Sequence, residues 1–120
     1  MNIEAMLEQT IENGGGSFNL NGTAVKFSRG YAVSLEGLEK KVNLHSEFFP
    51  DVCVIVERYM QANADAIAKP RHFLGLWIED GTLYMDVSEL VINETMARNI
   101  ARERKQLAYF DFAKGTAKHV

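Results

Sequence analysis

The stretch Leu76–Val87, "LWIEDGTLYMDV", reads as a β-hairpin. Asp80-Gly81 is a two-residue turn signal, and apolar residues alternate on both sides of it. Folding the chain there sets Ile78 against Leu83, Leu76 against Met85 and Leu74 against Val87, which makes one aliphatic face. The other face carries Trp77 opposite Tyr84 and Gly75 opposite Asp86. The aliphatic face is core. The second face raises the question of what covers it.

Upstream, Glu47 or Pro50 to Ala68 reads as the longest helix. Proline suits a first helical turn, and Asp51 suits the positive helix end. Phe48, Phe49, Val52, Cys53, Ile55, Val56, Tyr59, Met60 and Ile67 give it a broad apolar side, as expected for a helix lying across a sheet. Before it, "SFNL", "AVKFS", "YAVSL" and "KKVNL" read as short strands, with Asn21-Gly22 turning Phe18–Leu20 back onto Val25–Phe27. The N-terminal segment, Asn2 to Asn13, reads as an amphipathic helix with Ile3, Met6, Leu7 and Ile11 inward and Glu4, Glu8 and Glu12 outward. Gly14–Gly16 stops it and reads as a loose tether.

Downstream, a helix is expected from Asn93, as N-cap, to Lys105, with Met96, Ile100 and Leu107 on its apolar side. A last strand follows from Gln106 to Phe112. The order is α-ββ(β)-α-ββ-α-β. It predicts an α+β fold: a mainly antiparallel sheet of about five to six strands with helices packed on one face. All 120 residues form one expected domain, with residues 1–16 peripheral.

Composition is that of an ordinary globular chain, 47% hydrophobic and 24% charged. The net charge of −3 argues against bulk electrostatic binding of nucleic acid. The only cysteine, Cys53, cannot form an internal disulfide. No apolar run is long enough to span a membrane, and the N-terminus lacks a signal-peptide pattern, so a cytoplasmic location is expected.

Three constellations are candidates for function. Trp77, Tyr84 and Asp86 share the second face, and Tyr109 and Asp111 join them if the last strand lies beside the hairpin. An aromatic wall around a carboxylate can hold a cation, a base or a partner's arginine. The alternative is that the N-terminal helix covers this face and the aromatics are core. Arg98, Arg102 and Lys105, with Arg104 beside them, form a basic stripe. It suits either contacts to a nucleic-acid backbone or a solvated helix face. Asp86 with Tyr84 would be the centre of a small ligand-binding or enzymatic module. Cys53 has no histidine at a catalytic spacing and reads as an inert thiol. His45, His72 and His119 are scattered, so no metal is implied. No phosphate-cradle, dinucleotide or hydrolase motif occurs, and no cofactor is implied.

"GYAVSLEG", "FLGLWIEDGTLYMDVSE" and "ARERKQLAYFDF" together resemble a group of small proteins of unassigned function from actinobacterial phages, prophages and other mobile elements. The matching positions are Gly30, Tyr31, Val33 and Ser34; Gly75, Trp77, Asp80, Gly81, Tyr84 and Asp86; and Ala101, Arg102, Arg104, Gln106, Ala108 and Asp111. The resemblance spans Gly30 to Phe112. It implies a non-enzymatic protein that binds a host protein or nucleoprotein complex in the bacterial cytoplasm, in the manner of an anti-defence (anti-CRISPR type) inhibitor. The Trp77–Tyr84–Asp86 face and the acidic N-terminal helix would be its surfaces.

Overall fold

The computed structural model describes residues 1–120. Its centre is the hairpin of β4 (His72–Glu79) and β5 (Thr82–Val91). The pairing runs Trp77↔Tyr84, Gly75↔Asp86, Ile78↔Leu83, Leu76↔Met85 and Leu74↔Val87, as the sequence predicts. Asp80 and Gly81 both have positive φ, 50° and 75°, as a type I′ turn requires. A side chain at Gly81 would also strike the His45 ring.

At ten residues, β5 is long enough to hold two partners on its far edge. β3 (Lys40–Asn43) pairs along Thr82–Met85, and β2 (Tyr31–Ser34) along Ser88–Val91. β1 (Gly15–Phe18) flanks β4, while β6 (Ala108–Asp111) and β7 (Thr116–His119) extend the sheet beyond β2. The seven strands are all antiparallel, in the order β1-β4-β5-β2-β6-β7 with β3 beside β5. The fold is α+β. The seventh strand, β7, follows Phe112 and lies beyond the last strand expected from the sequence.

The helices lie on the aliphatic face. α1 (Ile3–Asn13), α2 (Phe49–Ala62) and α3 (Ala64–Ile67) pack Met6, Leu7, Val52, Val56, Met60 and Ile67 against Leu74, Leu76, Leu83, Met85 and Val87. α4 (Glu94–Glu103) covers the other end of that face through Ala97 and Ala101, against Val33, Val91 and Tyr109. Burial of such side chains stabilises by about 1.5–3 kcal/mol each.

Several expectations need correction. In α1, Thr10 is buried and Ile11 is 54% exposed. Residues advance about 100° each around a helix, so position i+7 from Ile3 falls at the centre of the apolar stripe and i+8 at its margin. The Thr10 hydroxyl donates to the Met6 carbonyl at 2.9 Å, so its burial leaves nothing unpaired. The Gly14–Gly16 run is no tether: Gly14 is the left-handed C-cap of α1, and Gly15 and Gly16 begin β1. "AVKFS" is not a strand. The chain does reverse here, but as a turn centred on Leu20-Asn21, closed by the bond from the Gly22 N–H to the Asn19 carbonyl. The backbone pairing of the return is limited to the Phe18↔Ala24 bridge and the bonds from the Asn19 N–H to the Thr23 carbonyl and from the Val25 N–H to the Ser17 carbonyl. The long helix breaks at Asn63, whose backbone N–H and side-chain amide both donate to the Tyr59 carbonyl. Phe48 is outside the core and exposed. Met96 in α4 and Leu107, which lies beyond the end of that helix, face solvent, and the small Ala97 and Ala101 let the helix backbone approach the sheet.

Candidate binding face

Side-chain alternation fixes what the second face displays. At its turn end, Trp77 and Tyr84 stack with ring centroids 4.2 Å apart and planes 13° from parallel. Lys41, the β3 residue paired with Tyr84, places its Nζ 5.4 Å from the Tyr84 centroid. On the other side of the stack, the β1 neighbour of Trp77 is Gly15, which brings no side chain. Trp77 is 38% exposed.

The next pair along is Gly75 and Asp86. A Cβ on Gly75 would stand 2.6 Å from Asp86 Oδ1, so the carboxylate lies where a side chain would otherwise be. Asp86 is 8% exposed. Ser88 Oγ donates to its Oδ1 at 2.7 Å, and Ser34 Oγ sits 3.3 Å from Ser88 Oγ. No cation pairs with Asp86. Its Oδ2 accepts no hydrogen bond from the chain and is not sealed from solvent. Burial pushes the carboxyl up from 3.8 to about 6, and the nearby charge of Glu39 adds to this, against the pull of the Ser88 and Ser34 hydroxyls.

Beyond Asp86 the face is closed by aromatics. Phe27, from the segment after β1, packs on Phe73 at 5.1 Å and on Phe112 at 4.9 Å between centroids. Phe110 completes this group edge-on to Phe112. No helix covers this face, because α1 lies against α2 and the aliphatic core. The face is therefore closed by Phe27 at one end and open around Trp77 at the other.

Tyr109 and Asp111 do not join Trp77, Tyr84 and Asp86. β2 intervenes between β5 and β6, and the register Tyr31↔Asp111 turns both residues to the helix-covered side. There they belong to a polar cluster. Arg98 donates to the Tyr109 hydroxyl at 3.1 Å, Tyr109 donates to Glu94 Oε2 at 2.9 Å, and Lys118 donates to the same oxygen at 2.7 Å. Lys118 also stands 3.5 Å from Asp111 Oδ2. The hydrogen bonds from Lys118 and Tyr109 hold the Glu94 carboxyl below its ordinary range.

The basic stripe divides in the same way. Arg104 donates to Glu89 at 2.6 Å and Arg98 is held by Tyr109, which leaves Arg102 and Lys105 exposed. Lys105 lies beyond the end of α4 with φ 58°. Cys53 is half-buried, and burial, with Glu4 and Glu8, raises its thiol pKa and so disfavours the nucleophilic thiolate. No three His, Cys, Asp or Glu side chains gather as a ligand set.

Sequence reasoning missed Ser34, Ser88, Gly15 and Lys41. Ser88 was legible, since it stands two residues from Asp86 on one face of a strand. The other three depend on which strands flank the hairpin. Comparison with family models, curated proteins and solved structures finds no match to this chain.

Proposed function

We propose that this chain is a non-enzymatic phage or mobile-element protein that binds a host macromolecule through the open end of its second sheet face. The observation that supports this best is the Trp77–Tyr84 stack, half-exposed on a face that no helix covers. Large aromatics set in a polar rim are the usual anchors of protein interfaces. The more specific form of the proposal is an anti-defence (anti-CRISPR type) inhibitor acting in the bacterial cytoplasm, and it rests on the resemblance over Gly30 to Phe112. Glu4, Glu8 and Glu12 on the solvent side of α1 are a second surface available to the same partner. Nucleic-acid contact by Arg98, Arg102, Arg104 and Lys105 has less support, because Arg98 and Arg104 are occupied within the chain.

The test is affinity capture from host lysate with the wild-type chain and with Trp77→Ala, followed by mass spectrometry. Circular dichroism of both proteins controls for folding. The proposal expects a specific protein or nucleoprotein retained by the wild type and lost with Trp77→Ala. Absence of any specific partner, or one retained equally by both, counts against it.

A further inference from the structure

The open end of the face has two features that nothing within the chain completes. One face of the Trp77 ring is stacked on Tyr84, and the other looks over Gly15, with no ring or cation of the chain upon it. One pair along, Asp86 is a nine-tenths buried carboxylate that accepts from the Ser88 hydroxyl, with the Ser34 hydroxyl nearby, no cation, and an Oδ2 that accepts no hydrogen bond from the chain and is not fully sealed from solvent. Diagonal neighbours on a sheet face lie about 7–8 Å apart, close to the reach of one extended side chain.

We propose that this hollow receives one arginine side chain of the binding partner, its guanidinium stacked on the free face of Trp77 and hydrogen-bonded to Asp86 Oδ2. This rests on the binding-face reading and names the chemistry that the face recognises. A planar guanidinium is suited to both halves of the site, since it stacks on indole and donates in its own plane to a carboxylate. Lysine can do the second but stacks poorly. The side-chain-free Gly15 and Gly75 keep the approach open: a Cβ at Gly15 would stand 3.1 Å from Trp77 Cβ, and one at Gly75 would displace the carboxylate. Lys41 lies over Tyr84, on the far side of the stack, and leaves the Trp77 side free of like charge.

Trp77 is the only tryptophan, so its emission reports the site directly. The full chain is titrated with a blocked Gly-Arg-Gly peptide, its lysine counterpart and its citrulline counterpart, which has nearly the shape of arginine without the charge. A saturable change with the arginine peptide is expected in the millimolar range, as for a single stacked and paired side chain. It should weaken about tenfold with Asp86→Asn, which keeps the shape of the site and the Ser88 contact. It should also weaken below about pH 6, where Asp86 takes up its proton. Equal responses to arginine and citrulline, no saturable response to arginine, or no effect of Asp86→Asn overturns the proposal. Lysine binding as tightly as arginine overturns the guanidinium assignment. If a captured partner is lost with Trp77→Ala but kept with Asp86→Asn, the docking face stands and the arginine assignment falls. If both variants keep it, the docking face falls as well.

Discussion

Replacing Asp86 with asparagine keeps the shape of the side chain and its acceptor for Ser88 but removes the charge. The folded-state pKa of Asp86 is raised from 3.8 to about 6, chiefly by burial. Between these values the native state holds a proton that the unfolded chain has lost, so this group makes stability fall as pH rises. Its favourable contribution is fully present below about pH 4 and gone above about pH 6. At 1.36 kcal/mol per unit, the shift amounts to about 3 kcal/mol. The measurement is urea unfolding of wild type and Asp86→Asn, followed by far-ultraviolet circular dichroism, at steps from about pH 4 to pH 8. The stability of the variant relative to wild type should rise by about 3 kcal/mol across that range. Any fixed cost of burying the new amide cancels in this difference, as do groups common to both proteins, such as Glu89 and Glu94. Parallel pH profiles for the two proteins would refute the claim that Asp86 is buried as an unpaired acid.

Gly75→Ala should destabilise by about 1–3 kcal/mol, because the new Cβ would stand 2.6 Å from Asp86 Oδ1. Most of that cost should vanish in the background of Asp86→Ala, as a double-mutant cycle by chemical denaturation will show. Phe18→Ala should cost about 3–5 kcal/mol, since Phe18 is the fully buried anchor that ties β1 to the core, and the thermal midpoint will report it. Arg104→Ala should cost about 1–3 kcal/mol by removing the closer cation on the half-buried Glu89, 2.6 Å away, and leaving it only the more exposed Arg71 at 3.7 Å. Burial raises the Glu89 pKa, but the Arg104 hydrogen bond and charge outweigh it and leave it lowered. The Arg104 contribution is therefore present above the ordinary glutamate pKa and lost as pH falls, so wild type and Arg104→Ala should converge in stability in acid.

The hairpin register was legible because it is local. The Asp80-Gly81 turn sets which residues oppose each other, and a period of two sorts them into faces. The N-cap role of Asn93 was legible for the same reason, and the Asn93 side chain does accept from the Met96 N–H. Errors arose where an element's orientation depends on its neighbour. Met96 and Leu107 look like core residues on a helical wheel, yet α4 turns Ala97 and Ala101 inward, since the approach to the sheet favours small side chains there. Tyr109 and Asp111 share a strand face, as the sequence predicts, but it is the face under the helix.

Alternation and turn chemistry thus determined, from sequence alone, that Trp77, Tyr84, Gly75 and Asp86 would share one surface. Tertiary structure decided what surrounds them. It placed β2 between β5 and β6, set Ser34 beside Ser88, brought Gly15 alongside Trp77, and sent α1 to the aliphatic side. The physical reason is range. A hairpin is specified by residues a few positions apart, whereas strand order and helix placement depend on burying the whole apolar face at once. No short stretch of the chain carries that information.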